Sequence, residues 1–511
     1  MYWLAGLVVL QLALEETVCA FGPGMPSRPR KLSTLLALGL LAGLSIALCL
    51  AAWQVWAWVV PIAAYRFINL LRVYVARLPA PRLRTVTTGA FNWLIAAQVA
   101  TVALAWAAWR FGFGMMVFDV FVGLQLLAAL VLLRTTLHTW RHAAVPGKIE
   151  TKLSDKELPS VSVLVPARNE TDDLRRCLEA ITTSDYPKLE VLVLDDCSAN
   201  RRTPEVIRSF AHTGVRFLRG EVPDETRWLA KNFAYEQLAR EASGDVLLFC
   251  GVDARLSPHS VRQLVCLLEA RQKDMLSVLP LRIPTGERGG TLLQAMRYYW
   301  EICPPRRLFK RPPVLSTCWL IRRKALEHMG GFESVSRSVV PEAPLARQAV
   351  ITDAYSFIRS DEHLGIYSDK PGIEQYGTSV RVRYPQLHRR LELVAVVATF
   401  ELAFLLGPFI GLLLAAYLPH GTAYAAVWVV TLLCLAVTYG LVSTGTRLSS
   451  RGVGWLAMPV AFGVDLLVLH ISLWKYEFST VDWKGRNVCI PVMQVEPFAA
   501  RPKRPGRAST S

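Results

Sequence analysis

The strongest constraint on this chain is where its charges are missing. Thr34–Val60, Gly89–Trp109 and Gly421–Thr444 contain no charged residue. Phe111–Leu133 carries only Asp119, Leu393–Leu418 only Glu401, and Val453–Trp474 only Asp465 and His470. Crossing the hydrocarbon core of a bilayer takes about 20 mostly apolar residues. Buried helices of soluble proteins rarely run so long without a charge. The chain therefore reads as two membrane regions around a polar middle. The expected divisions are an N-terminal membrane region over 1–140, a soluble domain over 158–390, a C-terminal membrane region over 393–474 and a basic tail over 475–511. Tyr2–Leu14 is apolar but short, and reads as an extra helix or an extended start.

Charge bias sets the expected orientation, because Lys and Arg concentrate on the cytoplasmic side. Arg66, Arg72, Arg77, Arg82 and Arg84 follow the first span, and Arg134, Arg141, Lys148 and Lys152 precede the middle domain. Both stretches are expected in the cytoplasm, as are the tail and the middle domain. The protein is thus expected as a multi-pass protein of the plasma (inner) membrane. Three full crossings after the middle domain would put the tail outside, so Leu393–Leu418, with Gly407-Pro408 at its centre, is a candidate re-entrant segment. The net charge of +17 is assigned to loops facing anionic head groups and to a phosphate-bearing substrate, not to nucleic acid. Ten cysteines without a CxxC pair give no disulfide framework or zinc site.

In the middle domain three apolar runs end in polar residues: "PSVSVLVPARNE" (159–170), "LEVLVLDDCSAN" (189–200) and "GDVLLFCGVDAR" (244–255). Helical patterns lie between them, with apolar residues three and four apart, as in "TDDLRRCLEAITTS". Strands alternating with helices imply crossovers and a mostly parallel sheet. Ligands of such sheets bind outside the carboxyl ends of the strands. Arg168-Asn169-Glu170, Asp195-Asp196 and Asp253 should therefore converge.

The segments "SVLVPARNE", "EVLVLDDCSANRRT", "RWLAKNFA", "GDVLLFCGVDARL" and "GGFESVSRSVVPEAPLARQA" follow in one order. In this the chain resembles membrane-bound family 2 glycosyltransferases of the GT-A fold, nearest to those acting on hopanoid, carotenoid or other polyprenoid lipids. The resemblance implies an α/β GT-A domain flanked by N- and C-terminal transmembrane helices. It implies contact with the donor nucleotide for Pro166, Arg168, Glu170, Asp195 and Asp196. Asp253 matches the second acid of a metal-binding pair whose first member is replaced by Gly251. A divalent cation, Mg²⁺ or Mn²⁺, is implied there on a weakened site. Glu342 falls where the family has its base, with Pro341 before it; a shift of one residue would put Ala343 there instead. Lys231 is a candidate for the donor diphosphate. "RVRYPQLHRR" resembles the arginine-bearing stretch before the last spans, which adds Arg381, Arg383, Tyr384, Gln386 and Arg389 to the donor-binding candidates. With Gly251 in place, Lys231, Arg381, Arg383 and Arg389 are alternatives to the metal for stabilising the leaving group.

"LLQAMRYYWEICPPRRLFKRPP" reads as a helix in the membrane interface or as a core helix with a basic exit loop. "VDWKGRNVCIPV" resembles the short segment that often closes such chains. The expected function is inverting transfer of a sugar from a nucleotide-diphosphate donor to a membrane lipid at the cytoplasmic face. The competing expectation, favoured by Gly251 and Pro341-Glu342, is a catalytically silent scaffold or partner subunit with the same fold.

Overall fold

Val161–Ala167 is an apolar run whose side chains are almost all buried, as a strand covered on both faces requires. It is strand β1 of a computed structural model that describes residues 2–51, 56–76, 81–145, 154–224, 226–283, 290–305, 311–447 and 454–488. The chain forms two compact units, one of Met1–Ile95, Pro385–Glu392 and Met493–Ser511, the other of Ala96–Tyr384 and Leu393–Val492.

The second unit holds the sheet. Its strands are β1, β2 (Leu189–Asp195), β3 (Val215–Arg219), β4 (Val246–Cys250), β5 (Ala254–Leu256), β6 (Met275–Leu279), β7 (Leu281–Arg282), β8 (Cys318–Arg322), β9 (Tyr355–Arg359) and β10 (Ile366–Ser368). The main sheet has the order β3-β2-β1-β4-β8-β6-β9, and a small sheet has β5-β10-β7. All main-sheet pairs are parallel except those of β8 with β4 and β6. Strand β1 is paired by β2 on one side and β4 on the other, so the chain reverses its direction of winding there. Ala167 stands opposite Asp195 in the register, which brings the carboxyl ends of β1 and β2 level.

Helices form where the sequence pattern asks for them. Asp172–Thr182 carries Asp172 and Asp173 in its first turn, where the helix dipole favours acids, and buries Leu174, Cys177, Leu178 and Ile181 on one stripe. The other face of the sheet is sealed by aromatic rings, with Phe249 and Trp319 stacked at 4.3 Å and Phe332 and Tyr235 edge-on or tilted around them.

Seven helical stretches among the described residues are long and apolar enough to cross a membrane: Gly6–Gly24, Ser27–Leu50, Leu83–Phe111, Gly114–His142, Leu391–Tyr417, Gly421–Gly445 and Met458–Phe478. The short apolar start is therefore part of a full helix, Tyr2–Phe21. Thr34–Val60 is split: one helix ends at Ala51 and the next, Trp56–Val75, carries Arg66 and Arg72. These arginines were expected in a loop, yet both are buried. Arg66 is held at 2.6 Å by buried Glu15, a partner 51 residues away that no local charge count reveals. Leu391–Tyr417 is helical throughout, with a wider π-type turn at Glu401–Leu406 followed by Gly407-Pro408. The last helix, Met458–Phe478, runs past the expected boundary at 475, and Arg501, Lys503, Arg504 and Arg507 lie outside the described residues.

Gly290–Ile302 is a core helix within the second unit. Met296, Tyr298 and Tyr299 are buried against side chains of Gly114–His142, Gly421–Gly445 and Met458–Phe478, such as Leu132, Tyr439 and Phe462. Its apolar face is covered by protein, not left for lipid. Arg306, Arg307 and Lys310 of its exit loop lie outside the described residues.

Candidate active site

The carboxyl ends of β1 and β2 are closed by a hairpin from the far end of the chain. Asp482–Trp483 pairs antiparallel with Arg486–Asn487 around the turn Lys484-Gly485. Both turn residues have positive φ, 50° and 79°, the geometry of a tight two-residue hairpin, for which Gly is suited and Lys is not. The turn is secured from the sheet side. Arg168 Nε donates to the Lys484 carbonyl at 2.9 Å, and Asn169 Nδ2 does so at 3.3 Å. Lys484 Nζ is paired with Glu170. Arg486 Nη1 reaches both carboxylate oxygens of Asp196, at 2.8 and 2.9 Å.

This clasp accounts for three of the donor-binding candidates. Arg168 also donates to the carbonyls of Asp196 and Cys197 at 2.5 and 2.7 Å, so its guanidinium is taken up by backbone. Glu170 and Asp196 face cations of the hairpin. Burial pushes the Asp196 carboxyl up to about 6, and Arg486 pulls the other way. Burial likewise pushes the Lys484 ammonium down to about 8. Asp195 is different: its Oδ1 accepts from the Ser198 amide at 3.2 Å, and its Oδ2 has no hydrogen bond among the described residues. Pro166 lies one residue before the end of β1, half-buried and paired in register with Leu194.

A cleft leads from the clasp along the start of helix Ala230–Glu241. It is lined by Trp483 and Arg486 of the clasp and by Lys231, Asn232 and Arg381. The Arg381 guanidinium lies 5.1 Å from the centre of the Trp483 ring, a cation–π contact. Lys231 Nζ stands 3.9 Å from Glu342 Oε1. Glu342 opens helix Glu342–Ile351, has no solvent exposure, and neither of its carboxylate oxygens has a hydrogen bond among the described residues. A buried carboxylate without hydrogen bonds is costly, and such groups concentrate at functional sites.

Asp253 follows β4, as the sequence pattern places it. Its Oδ2 accepts from Ser368 Oγ at 3.3 Å, and its carbonyl accepts from the Asp369 amide at 2.9 Å. The side chain folds back over Gly251: a Cβ added there would lie 2.6 Å from Asp253 Oδ1. The lone Asp occupies the space a first acid would need. A hard divalent cation needs several oxygen ligands. Among the described residues no three His, Cys, Asp or Glu stand together to hold a metal. Asp369, next along the chain, is engaged by Arg176 at 3.0 Å and Arg255 at 3.5 Å. One carboxylate among cations is a poor donor set for the divalent ion the resemblance implied.

Arg383 and Tyr384 are not with the donor candidates. Arg383 Nη2 bridges Glu401 at 2.5 Å and Asp465 at 2.6 Å, and its guanidinium packs 4.7 Å from the Trp300 ring. Trp300 Nε1 donates to the same Asp465 oxygen at 2.7 Å. The Tyr384 hydroxyl donates to Glu477 at 2.8 Å from a fully buried position. Gln386 and Arg389 belong to the first compact unit. Asp119 accepts from the Tyr424 hydroxyl at 2.6 Å, and His470 bonds the Leu466 carbonyl of its own helix at 2.8 Å.

Two cations at the site were not read from the sequence as donor ligands. Lys370 follows Asp369 in the loop after β10. Arg297 lies on Gly290–Ile302, which packs against helix Gly372–Arg383 carrying Arg381. Lys370 sits in an unremarkable "SDKPG" turn, and Arg297 in a stretch read as facing head groups.

The family description Glycosyl transferase family 2 matches residues 162–330. An N-acetylglucosaminyltransferase of Bradyrhizobium sp. (strain ANU 289) is 34 % identical over 128 residues, covering 24 % of this chain and 79 % of that protein. The probable glycosyltransferase YdaM of Bacillus subtilis (strain 168) is 28 % identical over 189 residues, 35 % of this chain. The chain spans only 44 % of that relative's length. A mannosyltransferase of Pyrobaculum calidifontis, solved with GDP-Man and Mn²⁺, is 17 % identical over 70 % of this chain and 99 % of its own, with a TM-score of 0.42. The chain belongs to glycosyltransferase family 2, and its seven-stranded sheet is that of the GT-A fold.

Proposed function

We propose that this protein transfers a sugar from a nucleotide-diphosphate donor to a hydroxyl or phosphate of a membrane lipid, at the cytoplasmic face and with inversion at the anomeric carbon. The observation that carries the chemistry is Glu342, a buried carboxylate with no hydrogen bond among the described residues, beside a cationic cleft. Held as a base, it takes the acceptor proton as the acceptor oxygen attacks the anomeric carbon. The bond from that carbon to the diphosphate breaks, and its electron pair leaves on the phosphate oxygen. Single displacement of this kind inverts the centre. Asp195, with one free carboxylate oxygen at the strand ends, is assigned to the nucleotide.

The lipid acceptor is supported by the membrane-length helices in the same compact unit as the sheet, three of which enclose Gly290–Ile302. The cytoplasmic face is supported by the Lys/Arg bias flanking the domain. The test uses full-length protein in lipid nanodiscs with a panel of labelled UDP- and GDP-sugars. Label is expected in the organic phase with wild type and not with Glu342→Gln, and the product anomer by NMR should be opposite to the donor's. Label appearing only in water-soluble product would sink the lipid acceptor. A product that keeps the donor's configuration would sink the single displacement.

A further inference from the structure

A sugar nucleotide's diphosphate must be neutralised somewhere, and the charge on it grows as the sugar leaves. The usual place, after β4, offers Asp253 folded over Gly251 and, among the described residues, no group of three metal-ligating side chains. What stands there is positive. Ser368 and Asp369 are bonded to Asp253, so the next residue, Lys370, leaves the strand end beside it. The helix that begins two residues later carries Arg381 into the cleft, and Arg297 comes from the helix packed against it. Lys231 also lines the cleft, 3.9 Å from Glu342. These four half-buried cations come from three separate segments.

We propose that Lys370, with Arg297 and Arg381 beside it, binds the donor diphosphate and takes up the leaving-group charge in place of a divalent cation. When the bond to the anomeric carbon breaks, the electron pair stays on the phosphate oxygen that these cations face, and the acceptor proton goes to Glu342. Arginine and lysine suit the task as planar fork and point charge. Asp253 then acts as a counter-charge that orients Lys370. Burial, and the neighbouring cations, hold Lys370, Arg381 and Lys231 below their ordinary pKa ranges. Such a cluster is unfavourable when empty and is relieved by an anion.

The inference rests on the nucleotide-diphosphate donor and is independent of the lipid acceptor. The test is calorimetric titration of the full-length protein in nanodiscs with UDP and GDP, and with uridine and guanosine as controls, in EDTA and in Mn²⁺. The better diphosphate should bind wild type with a Kd that EDTA changes by less than about twofold. Loss of one charge-assisted phosphate contact should weaken it by roughly 10–100-fold in Lys370→Met and by about tenfold in Arg297→Met. Affinity for the matching nucleoside should stay within about twofold in both, which also shows that the variants fold. Asp253→Asn should bind the diphosphate in EDTA at least as tightly as wild type. The proposal falls if EDTA abolishes diphosphate binding and Asp253→Asn does the same. It also falls if Lys370→Met and Arg297→Met both bind like wild type. Binding of neither diphosphate nor nucleoside to wild type would overturn the donor site itself. A lipid acceptor that proves wrong leaves every one of these titrations unchanged.

Discussion

The clasp and the transfer site treat charge in opposite ways. At the clasp two acids have their bases, Asp196 with Arg486 and Glu170 with Lys484, and Arg168 spends its donors on carbonyls. At the transfer site, Glu342 is buried with no hydrogen bond among the described residues, and burial, with neighbouring cations after it, holds Lys231, Lys370 and Arg381 below their ordinary pKa ranges. A buried polar group left without partners costs about 1–3 kcal/mol, more for a charge. A fold tolerates that expense where a ligand supplies the missing partners. The clasp is therefore read as architecture and the transfer site as chemistry, and the largest tests probe that division.

Glu342→Gln should have the largest effect. Removing a general base costs roughly 10²–10⁴ in turnover. The change is nearly isosteric, so the Kd for the donor nucleotide should move by no more than about threefold. Single-turnover transfer and nucleotide titration on the same preparation check the split. Turnover within tenfold of wild type would take the base assignment away from Glu342.

Arg383→Met comes next and probes the paired class at its most buried. Glu401 and Asp465 lose the cation they share. Breaking a buried ion network by removing one partner costs about 3–5 kcal/mol. Thermal unfolding in detergent should fall by several degrees, and Glu401→Gln added to Arg383→Met should recover part of the loss. A variant as stable as wild type would mean that this network has no structural weight.

How much of this was legible in the sequence depends on distance along the chain. Runs such as "VSVLVPA" and the helical pattern at 172–182 act locally, and the sheet and the meeting of strand ends followed from them. Gly251 was visible as a departure because its neighbours in the segment were unambiguous. The antiparallel β8 was not legible, since "CWLIR" has the same apolar signature in either direction. Nor was the clasp: Arg168 and Lys484 are 316 residues apart. Arg383 looked like a phosphate ligand because its two acids, Glu401 and Asp465, lie in other helices. Lys370 and Arg297 carry no local signal, and only the packing of their segments brings Lys370 to Asp253 and Arg297 to the helix of Arg381. Charge pairing is a tertiary property, so the sequence located the cleft's strand ends better than it sorted bound charges from free ones.

Asp196 sharpens the comparison from the paired side. Its folded pKa of about 6 is raised from 3.8 chiefly by burial, against the pull of Arg486. A carboxyl raised on folding binds its proton more readily in the folded state. Its contribution to stability is full below the unfolded value and is lost as pH rises through about 6. Wild type should thus gain roughly 1 kcal/mol of stability from this group between pH 7 and pH 5, the full ~3 kcal/mol being reached only below the unfolded value. Asp196→Asn should remove that part of the pH dependence, read as the difference between the two melting curves. The same slope in both proteins would mean that Arg486 compensates burial fully.

Gly251→Ala should have the smallest effect and tests the transfer site most finely. The new Cβ meets Asp253 Oδ1 at 2.6 Å, and the next nearest atom is the Thr317 carbonyl at 3.6 Å. A carboxylate tip can swing aside, so the cost should be about 1 kcal/mol or less. The swing would take Asp253 from Ser368 and loosen the counter-charge on Lys370. If Asp253 only orients that lysine, diphosphate affinity should stay within about threefold of wild type, with no new response to Mn²⁺. If the freed carboxylate instead makes binding depend on Mn²⁺, the fold at this strand end still holds the frame of a metal site, and the glycine is what keeps it closed.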